Sequence, residues 1–237
     1  MENFKQIKRP QIQNLYSVFM IDPPYPKKKG GLRKARPNQK RGLDYETMSM
    51  DEIFNLLDSN IFSTAMPDKH AVFMWTIDEF LVETDNRMLE RGYKRHCRFI
   101  WDKTNGVAPA FTVRYSHEYL IWYYKPKMIK IDFNYRGKFK TVFTEKSREH
   151  SRKPEYAYEM IEKLYPFESK LDVFSREKRH EWKQFGNQTN YFTADIKKEK
   201  TELMLRTCPI CLIDTYDENC CTETKPHKDN PHQFKLF

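Results

Sequence analysis

"FMIDPPYPKKKGGLRKARPNQKR", Phe19 to Arg41, sets three textures side by side. An apolar run, Phe19-Met20-Ile21, ends on Asp22, Pro23, Pro24 and Tyr25. In the loop that follows, eight of the sixteen residues from Pro26 to Arg41 are Lys or Arg. Together with Ser17 and Val18, the apolar run reads as a short buried strand over 17–21, closed by two prolines that cannot donate to a ladder. Pro-Pro is a common way to stop a strand, and an Asp there can serve as a cap. Three features favour a site instead. The acid lies at the carboxyl end of an apolar strand, where open α/β sheets place their sites. An aromatic follows it at once, and a basic, glycine-bearing loop follows that.

Outward from this stretch the chain alternates. "SMDEIFNLLDSN" (49–60) predicts a helix, with Ser49 and Glu52 in a capping-box pattern and Ile53, Leu56 and Leu57 on one face. "HAVFMW" (70–75) predicts a second buried strand. Thr76 and Glu79 repeat the capping-box spacing ahead of a helix that Gly92 should stop. "RFIWDK" (98–103) and "EYLIWYY" (118–124) predict further strands. Pro154 to Leu164 predicts a helix opened by proline, with Ala157, Met160, Ile161 and Leu164 at i, i+3, i+4 and i+7. "KLDVFS" (170–175) adds a strand. Strand and helix in alternation predict an α/β sheet covered on both faces. After about Gln188 the sequence becomes charged and only weakly amphipathic, which puts a domain boundary near 190: a main domain over 1–190 and a charged linker with a Cys/His tail over 191–237.

Length and composition limit the function classes. The 237 residues are 39% hydrophobic and 15% aromatic, so a packed core is expected and global disorder is not. The net charge of +9 points to a polyanionic partner. The N-terminus "MENFKQIKRPQ" has no apolar core of a signal peptide, and no run approaches the roughly 20 apolar residues that span a bilayer. A soluble, intracellular (cytoplasmic) protein is expected. Its five cysteines then argue for thiols or metal rather than a disulfide framework.

The chemistry that Asp-Pro-Pro-Tyr suits is modification of an exocyclic amine. The amino nitrogen of adenine is a poor nucleophile because its lone pair is delocalised into the ring. A carboxylate and a backbone carbonyl that accept its two N–H bonds return electron density and fix its position. Proline stiffens the backbone that carries the carbonyl. Tyrosine can stack on the ring, worth about 1–3 kcal/mol per base, against the few kcal/mol needed to flip a base out of a duplex.

The stretch resembles the [Asp/Asn/Ser]-Pro-Pro-[aromatic] motif of amino methyltransferases that use S-adenosylmethionine. Six further segments occur in the order expected of the MT-A class: "DYETMSMDEI" (44–53), "VFMWTIDEFL" (72–81), "FIWDKTN" (99–105), "HEYLIWYYKP" (117–126), "SRKPEYAYEMIEKLYP" (151–166) and "KLDVFSREKRHEWKQFGNQ" (170–188). This is the family of the messenger-RNA adenosine methyltransferase catalytic subunit and its bacterial and phage relatives, and the resemblance covers about residues 15–190. It implies a Rossmann-like methyltransferase sheet in permuted order and adenine-N(6) methylation. It places the catalytic motif at Asp22, Pro23, Pro24 and Tyr25, and cofactor contacts at Asp22, Lys153, Arg176, Asn187 and Gln188. Asn and Gln offer both donor and acceptor to ribose and adenine edges. Lys153 or Arg176 would pair with the methionine carboxylate.

Two departures bear on the substrate. The fourth motif residue is Tyr25, where the messenger-RNA enzymes carry Trp; Tyr is usual in DNA-adenine methyltransferases, so DNA is the expected substrate. "VFSREK" (173–178) lacks the glycine-rich cofactor turn of ordinary DNA methyltransferases, which fits the MT-A pattern better. An RNA adenine methyltransferase and a non-catalytic nucleic-acid-binding subunit remain the rivals, and the intact motif argues against the second. Paired subunits are common in the family, so a homodimer or a partner subunit is expected.

The remaining constellations concern binding. Lys28, Arg33, Arg36 and Arg41 represent the basic loop, which directly follows the catalytic motif and is expected to contact phosphates in a salt-dependent way. Tyr45 is a candidate for the target-base pocket, and Trp101 and Lys103 for the same cleft, although Trp101 also suits a core. His117-Glu118 opens a strand and reads as structural or cleft-lining. Four of the five cysteines lie in the tail: Cys208-x2-Cys211, then Cys220 and Cys221, followed by His227 and His232. Cys-x2-Cys is a good half-site for structural zinc. The other half is one of Cys220 and Cys221 with a histidine such as His227, or both cysteines together. A short tail without its own core would gain most from such a metal.

Overall fold

β1 (Val18–Ile21) is buried along its whole length and lies inside a seven-stranded sheet. The structure is a computed structural model that describes residues 15–26, 45–107, 113, 115–148, 152–192, 206–207 and 214–215. The other strands of the sheet are β2 (His70–Thr76), β3 (Lys94–Val107), β4 (Tyr115–Lys125), β5 (Val142–Thr144), β6 (Lys170–Val173) and β7 (Trp182–Phe185), in the order β5-β3-β4-β2-β1-β6-β7. β1 runs parallel to both β2 and β6, with Ile21 level with Met74 on one side and Val173 on the other. β4 is antiparallel to both of its neighbours, β2 and β3, while β5 follows β3 and β7 follows β6 in parallel. The sheet is mixed and consistent with a Rossmann-like methyltransferase fold.

Residues of β1 and β2 alternate between two cores because successive side chains of a strand point to opposite faces. Val18, Met20, Phe73 and Trp75 join Leu120 and Trp122 against α3 (Glu155–Leu164), through Ala157, Met160, Ile161 and Leu164. Phe19, Ile21, Val72 and Met74 join Ile121 and Tyr123 against Ile53 and Phe54 of α1 (Met50–Leu56) and Met88 of α2 (Leu81–Glu90). Each fully buried Phe or Ile in these layers contributes on the order of 1.5–3 kcal/mol. Both faces of the sheet are thus covered, as the alternation of elements implies.

The capping box at Ser49 forms: its hydroxyl accepts the Glu52 N–H at 3.3 Å and its own N–H donates to Glu52 Oε2 at 2.8 Å. The second one does not. Thr76 pairs with Tyr119 in the ladder and stays extended, and its hydroxyl donates to the Ile77 carbonyl at 3.4 Å. A short 3₁₀ turn over Asp78–Phe80 starts α2 without a side-chain cap. Gly92 ends that helix as expected, at φ +79°. β5 and β7 are absent from the sequence expectation. The first has three residues, and the second, "WKQF", carries an apolar residue only at each end.

The chain divides into two compact units, Met1–Thr189 and Asn190–Phe237. In the second, Arg206–Thr207 and Asp214–Thr215 pair as a two-residue antiparallel ribbon. Among the described residues no helix is long and apolar enough to cross a membrane.

Candidate active site

Asp22 follows the last residue of β1, between the carboxyl ends of β2 and β6. Chain connections leave β1 toward β2 across the α1 face and return to β6 across the α3 face, so Asp22 occupies the switch point where such sheets hold ligands. Its N–H donates to the Val173 carbonyl at 3.2 Å, which anchors the motif to β6. Pro24 accepts the Met48 N–H at 2.8 Å and ties the other side to the start of α1. The Pro23 carbonyl accepts the Tyr25 N–H at 2.9 Å. A carbonyl has two lone pairs, so one acceptor position of Pro23 remains beside Asp22.

Tyr25 is fixed at both ends of its ring. The ring stacks on Phe80, centroids 4.9 Å apart and planes 8° from parallel. The hydroxyl donates to the Trp75 carbonyl at 2.9 Å and lies 3.1 Å from Thr84 Oγ1. Burial pushes its phenol pKa well up, so it stays neutral near pH 7 and acts as a wall rather than a proton carrier.

Four charged side chains from four elements meet at this edge. Lys153, just before α3, places Nζ 2.9 Å from Asp22 Oδ1 and 2.9 Å from Glu118 Oε2. Lys103, on β3, ion-pairs with the other oxygen of Glu118. The two ammonium groups also lie over indole rings, Lys153 5.2 Å from Trp75 and Lys103 5.3 Å from Trp101, which adds a cation–π contribution. Burial raises the Asp22 carboxyl, Lys153 and Arg176 oppose the rise, and Glu118 adds to it. Burial would raise Glu118 as well, but Lys153 and Lys103 outweigh it and hold its carboxyl down at about 2. For Lys153, burial is overcome by Asp22 and Glu118, and its pKa is raised. Two carboxyl groups, Asp22 and Glu118, thus face two amines, Lys153 and Lys103.

The other side of the crevice is built by the ends of β6 and β7. Phe174 adopts φ +62°, a left-handed conformation that is uncommon away from glycine, and turns the chain toward Arg176. Its N–H donates to the Phe185 carbonyl at 2.6 Å. Gly186 packs so closely here that a Cβ would lie 3.2 Å from Phe174 Cα. The tight contact sets Asn187 and Gln188 beside the 174–176 turn. Arg176 in turn lies over Tyr45, its guanidinium carbon 5.2 Å from the ring centroid. The structure therefore brings Arg176 over Tyr45 and puts Asn187 and Gln188 directly after the close Gly186–Phe174 approach, while Asp22, Lys153 and Lys103 are linked through Glu118. Guanidinium and amide groups suit a cofactor that carries a carboxylate, ribose hydroxyls and an adenine edge.

Of the two readings of Trp101, cleft and core, the structure shows the core. It is 3% exposed, its ring meets Trp75 edge-on at 5.9 Å, and its Nε1 donates to the Glu145 carbonyl at 2.7 Å. It forms a floor under Lys103 and offers no face to a base, because β3 turns its side chain into the α3 core. Lys28, Arg33, Arg36 and Arg41 lie outside the described residues, as do Cys208, Cys211, Cys220, Cys221 and His227.

Two residues gain weight that the sequence did not give them. The sequence reads Glu118, with His117, as structural or cleft-lining at a strand start; the antiparallel course of β4 brings that start to the edge that holds Asp22. Asp172, on β6, is 1% exposed and accepts the Tyr158 hydroxyl at 3.0 Å. Burial pushes its carboxyl up to about 7, against the lowering effect of Tyr158, Ser175 and Arg179. An acid in the middle of "KLDVFS" was the available signal.

A sequence model described as MT-A70 matches residues 16–188. Three curated plant proteins are similar over about three quarters of the chain. A "Probable N(6)-adenosine-methyltransferase MT-A70-like" protein from Oryza sativa subsp. japonica is 29% identical over 77% of this chain and 24% of its own length. An "N(6)-adenosine-methyltransferase MT-A70-like" protein from Arabidopsis thaliana is 28% identical over 77% of this chain and 25% of its own. A "Putative N(6)-adenosine-methyltransferase MT-A70-like" protein from Medicago truncatula is 29% identical over 76% and 27%. The chain thus spans about a quarter of the length of the relatives it matches.

Proposed function

The chain belongs to the MT-A70 family, and on that premise we propose that it is an S-adenosylmethionine-dependent methyltransferase that modifies N(6) of adenine in a nucleic acid. The observation that carries the proposal is Asp22, set at the carboxyl end of β1 with Lys153 at 2.9 Å opposing the effect of burial on its carboxyl. The cofactor, held through Arg176, Asn187 and Gln188, would supply a methyl group on a sulfonium. The protein's own part is to present the amine. Asp22 accepts one N–H and the remaining lone pair of Pro23 accepts the other, which raises the electron density on a weak nucleophile. Tyr25, flat against Phe80, gives its opposite face to the purine ring. When the methyl group moves to nitrogen, the new C–N bond would replace the methyl–sulfur bond, a neutral thioether would be the leaving group, and the amine would give up one proton, to Asp22 or to water. Positioning and fixed electrostatics account for most of the acceleration in such a site.

Two substrates fit. Tyr25 in place of tryptophan favours DNA. The names of the plant relatives favour RNA, since each refers to adenosine, a ribonucleoside. Tritiated methyl transfer to unmethylated duplex DNA and to RNA, run in parallel with Asp22→Ala as control, decides between them. Label on adenine that disappears in the variant supports the proposal, and the labelled polymer names the substrate. Tight nucleic-acid binding with no label on either overturns catalysis in favour of a binding subunit. A zinc-stapled Cys/His tail and pairing with a second copy or related subunit complete the proposal on sequence grounds. Zinc content of the purified protein and its mass in solution test these two.

A further inference from the structure

The segment after β4 makes a basic track that the catalytic residues do not use. Between Lys127 and Arg148 the exposed side chains Lys127, Lys130, Arg136, Lys138, Lys140, Lys146 and Arg148 face only two acids, Asp132 and Glu145. Both acids are occupied by backbone. Asp132 Oδ1 accepts the Asn134 N–H at 2.8 Å. The Glu145 carboxylate accepts the N–H groups of Glu155 and Tyr156 at 2.8 and 2.9 Å, which caps α3. Arg148 lies 3.6 Å from Glu155, and none of the other six cations has a carboxylate in ion-pair range among the described residues.

The track has a direction. Its start, at the end of β4, is the edge of the sheet remote from Asp22. Asp132 donates its N–H to the Leu164 carbonyl at the far end of α3, at 2.9 Å. The segment then climbs α3, with Tyr135 and Phe139 packed on the core and Phe139 6.1 Å from Tyr156. It ends beside the catalytic cluster, where Arg148 donates to the Lys153 carbonyl at 2.9 Å. From Leu164 back to Lys153 the climb along α3 is about eleven residues at roughly 1.5 Å each, about 16 Å, or some five stacked nucleotides at about 3.4 Å per step.

An aromatic side chain stands on this track in water. Phe133 is 78% exposed on a hydrogen-bonded 3₁₀ turn, with the Arg136 guanidinium 5.5 Å from its ring centroid. Phe167, three residues beyond Leu164, is 96% exposed. A single exposed apolar ring is unremarkable. Two of them flanking one backbone hydrogen bond, amid unpaired cations, match the pattern of strand-binding surfaces, where cations track the backbone and aromatics stack bases.

We propose that Lys127–Arg148 is a docking track for a nucleic-acid strand, with phosphates on Arg136, Lys138, Lys140, Lys146 and Arg148 and a base on Phe133, leading toward Asp22. It rests on the nucleic-acid substrate proposed above. The test is fluorescence anisotropy of the full chain with fluorescein-labelled 20-nucleotide RNA and DNA strands over a salt series. The triple variant Arg136→Gln/Lys138→Gln/Lys140→Gln should lower the slope of log affinity against log salt by about 2, at roughly 0.7 per single-strand phosphate. Phe133→Ala should weaken binding roughly 5- to 150-fold and leave that slope alone. Neither change should alter S-adenosylmethionine affinity or the thermal midpoint. Wild-type slope and affinity in the triple variant, on a strand the native protein binds, overturn the track and leave the methyltransferase proposal standing. A native protein that binds neither strand but retains S-adenosylmethionine overturns both.

Discussion

Lys153→Met removes the cation that opposes the effect of burial on the Asp22 carboxyl, and its size can be worked from the geometry. At 2.9 Å the pair attracts by about 6 kcal/mol for an effective dielectric of 20, equal to roughly 4 pH units at 1.36 kcal/mol per unit. Water reaches part of the Asp22 side chain, which is 23% exposed, so about half of that should survive as a measurable shift. Asp22 must be ionised to accept the amine, so the acid limb of the kcat profile reports its titration. In Lys153→Met that limb should move up by about 2 units, so methyl transfer should fall by up to about 100-fold below the native limb and recover as pH rises past the shifted one. Glu118→Gln should act in the opposite sense. Glu118 pushes the Asp22 carboxyl up, so its neutralisation should shift the limb down. Single-turnover methyl transfer from pH 5 to 9, with S-adenosylmethionine affinity measured alongside, reads both effects. Limbs that move in the same direction, or an unmoved limb in Lys153→Met, would refute the electrostatic account of this cluster.

Three other outcomes follow from the same geometry. Asp172 keeps its proton to about pH 7 when folded but loses it near its ordinary value of 3.8 when unfolded; its folded pKa is raised, so stability falls as pH rises from about 4 to 7, by on the order of 4 kcal/mol. Denaturant titrations at pH 4.5, 6 and 8 should show that slope in the native protein and lose it in Asp172→Asn; an unchanged slope would sink the assignment. Gly186→Ala puts a Cβ 3.2 Å from Phe174 Cα and 3.3 Å from Ser175 N; a loss of about 1–3 kcal/mol in chemical denaturation is expected, with weaker S-adenosylmethionine binding by calorimetry, and native affinity would show that this contact does not set the cofactor end. Tyr25→Ala should weaken nucleic-acid binding by about 1–3 kcal/mol through lost stacking, while Tyr25→Phe, which gives up the hydroxyl's contacts with Trp75 at 2.9 Å and Thr84 at 3.1 Å but keeps the ring, should bind nearly as the native protein does; equal losses in the two would point to the hydroxyl instead.

The fold was legible where a segment's own pattern decided its fate. Val18–Ile21 and His70–Thr76 are continuous apolar runs closed by turn residues, and their burial needs no knowledge of neighbours. Glu155–Leu164 declares its buried stripe by spacing alone. Tertiary pairing overrode local signals elsewhere. Thr76 has the composition of a cap but is held extended by Tyr119 across the ladder. Val142–Thr144 is too short and too exposed for periodicity to reveal, and exists because β3 supplies an open edge.

The candidate site divides in the same way. Asp22-Pro23-Pro24-Tyr25 is contiguous, so a motif can carry it, and Gly186-Asn187-Gln188 is nearly so. Glu118 and Lys103 carry no such mark, since their contribution comes from strand order. β4 had to be recognised as antiparallel before its first residues could be placed at the same edge as the last residues of β1, β2 and β3. That hidden part bears on how far the motif alone can be trusted. An aspartate buried at the end of a strand is pushed toward its protonated form, in which it has lost much of its capacity to accept an amine proton. On this reading the four-residue motif carries a usable carboxylate only in the company of Lys153, which Asp22 and Glu118 hold between them while Lys103 pairs with the other oxygen of Glu118. A chain with the same motif and no cation before α3 would keep the shape of this site without its chemistry.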